Sequence, residues 1–289
     1  MGGWTIGIIG GSGLYDVEGI EDGGWVDVSS PWGPPSDECF VGRVGHVKVV
    51  FLPRHGRGHR ISPSDLNARA NIDVLKRLGV TDVLAVSSVG SLAEDRPPGS
   101  FTIADQFIDR TKGRPSSFFG EGMVAHVSMA DPVCPRLSAL AADAAKAAGA
   151  QTDVGGTYLA MEGPQFSTRA ESHLYRSWGC HIIGMTGMPE AKLAREAELP
   201  YALVGMVTDY DCWREGEEAV DVAQVIAQLS ANAEKARAMV MHLLRALPEE
   251  RPASPIDTCL DYALITAPHV RDPQLLAKLD AVAGRALNK

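Results

Sequence analysis

The stretch from Ser62 to Ser91 reads SPSDLNARANIDVLKRLGVTDVLAVSSVGS. Ser62-Pro63-Ser64-Asp65 reads as a helix start. Behind it Leu66, Ala70, Val74 and Leu78 recur every four residues with Leu75 beside them, which makes one apolar helix face. Gly79 ends that helix. Val83 to Val86 is an apolar strand that runs out into Ser87-Ser88-Val89-Gly90-Ser91. Working outward, the same alternation continues. Upstream, Thr5 to Ile9 is a strand entering Gly10-Gly11-Ser12-Gly13, and Glu38 to Val44 and Val47 to Leu52 are strand-like. Downstream come a strand (Phe101 to Ile108), an Ala-rich helix (Pro135 to Gly149), a strand (Gly156 to Met161) and a helix (Ser167 to Trp178). Then follow a strand (Cys180 to Met185), a helix (Glu190 to Glu198), a strand (Tyr201 to Thr208) and an amphipathic helix from about Asp221 to Leu247. Strands alternating with helices argue an α/β fold with a mostly parallel or mixed sheet. Pro248 to Pro255 is polar and proline-rich, and divides residues 1–247 from a tail, 248–289. The tail is too short for a core of its own, and is expected to pack on the domain or on a neighbouring subunit.

Composition narrows the function. The chain has 289 residues, with 27 Lys and Arg against 36 Asp and Glu, a net charge of −9. The lack of excess cation to neutralise phosphates argues against a general nucleic-acid binder, while a small anionic substrate needs only a few local cations. With 45% apolar and 22% charged residues the chain can bury a large core. No apolar run approaches the ~18 residues of a membrane span. The N-terminus lacks the basic region of a secretory signal, and Ile6 stands where a myristoylation motif wants Ser or Thr. The five cysteines, Cys39, Cys134, Cys180, Cys212 and Cys259, are scattered and form no Cys/His cluster, which suits reduced thiols in a cytoplasmic protein.

Chemistry gathers at strand ends. Gly10 to Gly13 lacks a following helix, so it suits a turn whose N–H groups and Ser12 hydroxyl face an anion, or a plain tight turn, better than a dinucleotide site. Pro53 to Arg60 packs three arginines and two histidines into eight residues of an acidic protein. It follows an apolar strand, where α/β sheets bind ligands, and a guanidinium fork suits phosphate. Ser87 to Ser91 supplies further donors. Thr186, in Met185-Thr186-Gly187, is placed to cap the next helix, with Glu190 as a weaker capping-box partner. Asp209 and Asp211, in Thr208-Asp209-Tyr210-Asp211, follow a run that reads as fully buried. Alternation would turn both to one face. Two like charges in a partly dry site raise one pKa, which gives a general acid near neutrality. No histidine or third acid nearby argues for a metal.

Taken in order, GIIGGSGL (7–14), PRHGRGH (53–59), MEGPQFSTRAES (161–172), GMTGMPEAKLAREA (184–197) and TDYDCW (208–213) resemble the 5′-methylthioadenosine phosphorylase branch of the trimeric purine nucleoside phosphorylases. ADQFIDRTKGRPSSF (104–118) and HVSMADPVCP (126–135) match as well, so the likeness runs from about Ile6 to about Leu247. The resemblance implies a single α/β domain around a mixed, partly barrelled sheet flanked by helices, residues 1–247 being the catalytic domain. It implies a homotrimer, with pairing into hexamers left open, and no metal or organic cofactor, inorganic phosphate being a co-substrate. Phosphate would be held by Ser12, Arg54, His55, Ser87 and Thr186. Phe166 and Ser167 would line the base, and Met185 the ribose. Asp209 would protonate or hydrogen-bond N7, and Asp211 would face the 6-amino group. His126 of a neighbouring subunit would approach the 5′-substituent, with Val225 and Ile226 as apolar wall for a methylthio group. A 6-oxopurine or methylthioinosine phosphorylase is the alternative enzyme, although that branch usually carries Asn where Asp209 stands. A nucleoside-binding protein without turnover is the alternative of another class.

Overall fold

The computed structural model describes residues 3–11, 14, 19–214 and 222–288, without the side chains of 222–227. Its strands are β1 (Thr5–Gly10), β2 (Glu21–Val26), β3 (Cys39–Val44), β4 (Val47–Pro53), β5 (Asp82–Ser91), β6 (Phe101–Ala104), β7 (Gln106–Asp109), β8 (Thr152–Val154), β9 (Thr157–Ala160), β10 (Ile182–Gly184) and β11 (Tyr201–Asp209). The helices are α1 (Ala68–Arg77), α2 (Pro135–Ala147), α3 (Arg169–Ser177), α4 (Gly187–Glu196), α5 (Val222–Ala246), α6 (Pro273–Lys278) and α7 (Asp280–Leu287).

All the strands join one mixed sheet that forks at β5. On one edge β5 pairs parallel with β1 through Asp82–Ala85, and then antiparallel with β10 at Gly90 and Ser91. Between these partners no strand of the described residues pairs with that edge. On the other edge β11 runs parallel to β5 from Val83 to Gly90. β11 pairs with β6, while β7 pairs with β9, and β9 with β10. Only Asp105 separates β6 from β7, so the chain there joins the two arms of the fork. The ring β5–β11–β6, β7–β9–β10 closes into a partial barrel, and the open edge of β5 gives onto its mouth.

Apolar patterning explains the burial. β5 and β11 are buried along almost their whole length, as continuous apolar runs demand. Two large packed cores lie against the sheet, one including Ile9, Leu75, Leu203 and Val207, the other Trp4, Ile8, Phe51, Val204 and Leu243, and a smaller one gathers Leu159, Ile183, Tyr175 and Trp213. α1 starts later than the sequence suggests. Pro63–Asp65 is a separate 3-10 turn, the Ser62 hydroxyl turns to Asp65, and Asn67 caps the helix by accepting from the Ala70 N–H at 3.1 Å. Leu66 therefore lies outside α1. The tail packs on its own domain: Leu260, Leu279, Val282 and Ala283 enter the first core. Fully buried Asp82 is gripped by Arg136 and Arg251, and buried Glu198 by Arg285. No helix of the described residues is long and apolar enough to cross a membrane.

Candidate active site

A cavity of about 620 Å³ opens along the free edge of β5. It has a basic, hydroxyl-rich end formed by Arg54, His55, Ser87 and Thr186, and an acidic end formed by Asp209 and Asp211. Met161, Phe166, Met185, Met206, Leu229 and Ala233 furnish apolar wall. Strand ends, a loop after β4 and the N-cap of α4 thus bring together residues from five separate motifs.

At the basic end Arg54 is only 2% exposed. Its Nε and Nη2 donate to the Glu190 carboxylate at 2.9 and 3.1 Å. Nη2 also donates to the Ile9 carbonyl at 3.2 Å, and Nη1 to the Val86 carbonyl at 3.0 Å. Four of the five guanidinium N–H groups are thereby used, which leaves one on Nη1. His55 stacks on His59, with ring centroids 4.3 Å apart. Burial pushes the His55 imidazole down to about 4. The neutral ring places Nδ1 2.9 Å from the Ile61 carbonyl, so Nδ1 carries the hydrogen and Nε2 keeps its lone pair. The Ser87 and Thr186 hydroxyls lie 3.4 Å apart. Thr186 stands at the N-cap of α4 but makes no side-chain cap bond, and Glu190 turns to Arg54 instead of closing a capping box.

The acidic end is built differently. Asp209 closes β11, accepting from the Thr208 hydroxyl and the Asp211 N–H, each at 2.7 Å. Burial raises its carboxyl above the usual aspartate range, against the pull of those two donors. Burial also raises Asp211, the charge of Asp209 adds to the effect, and the hydroxyls of Ser172 and Ser167 oppose it. Asp211 Oδ2 is buried without a hydrogen-bond partner among the described residues. The two carboxyls do face one cavity, but not through strand alternation. The strand ends at Asp209, and Asp211 has a left-handed backbone (φ 54°). Gly90 leaves the room, since a Cβ there would sit 3.1 Å from Asp209 Oδ1.

Other residues singled out in the sequence fall variously. Ser12 lies outside the described residues. Phe166 is 52% exposed at the lip. Ser167 is not part of the wall; its hydroxyl lies 3.7 Å from Met161 Sδ. His126 is exposed and away from the wall, its N–H bonded to the Ala263 carbonyl. Val225 and Ile226 belong to α5, and their side chains lie outside the described residues. Among the described residues no group of three or more His, Cys, Asp or Glu could hold a metal ion.

Sequence reasoning missed the supports. Tyr158 Oη accepts the Thr186 and Gly187 N–H groups, each at 3.3 Å, and a Cβ on Gly184 would strike it at 2.1 Å. Arg114 ties the Glu162 and Met185 loops together through the Glu162 side chain and both carbonyls. Glu190 looked like a capping acid, and Tyr158 and Arg114 like ordinary strand and loop residues. Only their partners, far away in the chain, reveal them.

With this geometry in view, the relatives are informative. A profile of the Phosphorylase superfamily matches residues 5–245. The S-methyl-5′-thioadenosine phosphorylase of Cereibacter sphaeroides is 61% identical over 284 residues, 98% of each chain. That of Rhodospirillum rubrum is 55% identical, covering 98% of this chain and 97% of its own. A methylthioadenosine phosphorylase from an antarctic soil metagenomic library superposes with a TM-score of 0.92 at 45% identity, over 98% of this chain and 99% of that one. A methylthioadenosine phosphorylase from Schistosoma mansoni, solved in complex with adenine, gives 0.79 at 39% identity, over 84% and 91%. The chain belongs to the Phosphorylase superfamily and, within it, to the S-methyl-5′-thioadenosine phosphorylases.

Proposed function

We propose that the protein phosphorolyses S-methyl-5′-thioadenosine to adenine and 5-methylthioribose 1-phosphate. The observation that carries this reading is one cavity with two unlike ends: half-buried carboxyls with raised pKa at one, and a guanidinium, an imidazole and two hydroxyls at the other. Phosphate takes N–H and O–H donors from Arg54, Ser87, Thr186 and Ser12, and presents a hydroxyl to the His55 Nε2 lone pair. Adenine lies against Phe166, with Ser167 beside it and Met185 under the ribose. Asp209, kept protonated more than an ordinary aspartate, donates to N7, and Asp211 Oδ2 accepts from the 6-amino group. As the C1′–N9 bond breaks, its electron pair goes to the base, made a better leaving group by the proton at N7. A phosphate oxygen then bonds to the cationic C1′ from the opposite side. No residue is modified, and no organic cofactor or metal enters the step.

A carboxyl at 209 favours an aminopurine over an oxopurine, because the base offers an acceptor at N7 and a donor at N6. The 5′-methylthio group is assigned to Val225 and Ile226, and to His126 of a neighbouring subunit in a cytoplasmic homotrimer. The exposed position of His126, away from its own cavity, supports that arrangement. A substrate panel tests the reading: methylthioadenosine, adenosine, methylthioinosine and inosine, each with and without phosphate. Phosphate-dependent adenine release should be fastest from methylthioadenosine. Preference for the inosines would select the oxopurine alternative, and binding without release would select the non-catalytic one.

A further inference from the structure

We propose that Glu190 is a positioning residue for phosphate, holding Arg54 so that one guanidinium locks four segments of the cradle into a single geometry. The proposal rests on the reading that the basic end of the cavity takes phosphate.

Each bond of Arg54 lands on a segment that carries a residue assigned to phosphate. β1 and β5 part beyond the Ile9–Ala85 pair, and the guanidinium spans the gap to the Ile9 and Val86 carbonyls. Ile9 leads into Gly10-Gly11-Ser12, and Val86 directly precedes Ser87. Glu190 lies in the first turn of α4, whose N-cap is Thr186. Arg54 itself leads into His55. One side chain therefore fixes the spacing between the ends of β1, β4 and β5 and the start of α4.

That role depends on the carboxylate. Without Glu190, Arg54 would be a buried, uncompensated cation held only by the Ile9 and Val86 carbonyls, with Nε unpaired. With it, the planar fork is held at two points, and its orientation follows. Glu190 is itself 3% exposed and held from behind by the Tyr201 hydroxyl at 2.9 Å. The ion pair is neutral as a unit. Arg54 thus offers phosphate one directed N–H, not a free charge, and placement matters more than electrostatic pull.

Steady-state kinetics with both substrates varied test this. In Glu190→Gln the amide offers one acceptor and turns an NH2 against the fork. The phosphate KM should rise about tenfold or more, the scale of a misplaced site group, while the methylthioadenosine KM stays within about twofold. Glu190→Asp, which keeps the charge, should recover part of the loss. Partial unfolding lowers the amount of active enzyme and hence kcat, but not one KM alone, so the split separates positioning from bulk stability. Tyr201→Phe leaves the ion pair but removes its rear anchor, and should raise the phosphate KM about two- to fourfold. If Glu190→Gln folds with an unmoved or lowered phosphate KM, or with both KM values raised alike, the inference is overturned. If it does not fold, an unmoved phosphate KM in Tyr201→Phe overturns it. Arg54→Lys keeps the two failures apart. Should that variant leave the phosphate KM unchanged, phosphate does not sit at this end at all; should it raise the phosphate KM while the Glu190 and Tyr201 variants do not, only the positioning role fails.

Discussion

The two ends of the cavity are held by opposite strategies. At the basic end nearly every polar group is already satisfied: Arg54 is paired with Glu190, His55 is neutral and bonded to Ile61, and Tyr158 anchors the turn at Thr186. At the acidic end Asp209 and Asp211 are half-buried beside each other with no ion-pair partner among the described residues, Asp211 is in a left-handed conformation, and its Oδ2 has no hydrogen-bond partner among those residues. The first is a preorganised mould and contributes to stability. The second keeps two carboxyls close together, where desolvation raises both above the usual aspartate range. Phosphate binding needs fixed donors, whereas a general acid needs an environment that makes it keep its proton.

The largest effect should come from the acidic end. Asp209→Asn removes a positioned proton donor, which typically costs ~10²–10⁴ in rate. Turnover of methylthioadenosine should fall by that order, and the ratio of methylthioinosine to methylthioadenosine turnover should rise. Unchanged methylthioadenosine turnover would sink the role given to Asp209. Next in size is Arg54→Ala. It strands the buried Glu190 carboxylate and opens the seam between β1 and β5. Breaking a buried pair by removing one partner costs about 3–5 kcal/mol. Denaturant unfolding should show a loss of that order, together with a raised phosphate KM. A variant as stable as the parent would mean that the mould is not structural.

The sharpest contrast is in sign. Asp211 has a folded pKa raised above its unfolded value. Such a group contributes stability that is full below the ordinary aspartate range and is lost as pH rises through the folded value. Asp211→Asn should therefore raise the melting temperature near pH 7, by about 2–4 °C for each kcal/mol regained in chains somewhat shorter than this one, while lowering activity. The gain should vanish at pH 3. Removing Arg54 destabilises and removing the Asp211 charge stabilises; two losses of the same sign would erase the distinction between the ends.

Much of this was legible in the sequence, and the limits were physical. β1, β4, β5 and β11 are continuous apolar runs because both faces are buried, and that survives in the residue order. The cluster of cations in Pro53–Arg60 and the two acids after β11 announce themselves locally. β2 does not, because Glu21–Val26 is a largely exposed edge with neither alternation nor an apolar run. Nor does the Arg54–Glu190 pair, whose members are 136 residues apart. The position of Asp211 was anticipated for the wrong reason, since alternation ends with the strand and the left-handed residue restores the direction. Supports such as Tyr158 and Arg114 act through backbone groups, which leave no trace in a single sequence.

The smallest effect concerns a control outside the cavity. Glu196 is a buried carboxyl away from the cavity, accepting from the Ser117 hydroxyl and the Phe118 N–H, each at 2.7 Å. Burial pushes it up to about 7, with those two donors opposing. It has burial without a neighbouring acid, so it isolates what desolvation alone does. Its contribution to stability should be full near pH 4 and lost as pH rises through about 7. In Glu196→Gln the amide oxygen can still accept from Phe118, and no charge appears at high pH. The stability difference between variant and parent should therefore shift in favour of the variant by about 1–3 kcal/mol between pH 5 and pH 8, with the methylthioadenosine KM unmoved. A flat difference across that range would mean that the Glu196 carboxyl is already ionised at pH 5, and that burial alone does not raise a carboxyl in this fold. The raised values at Asp209 and Asp211 would then have to come from their proximity to each other.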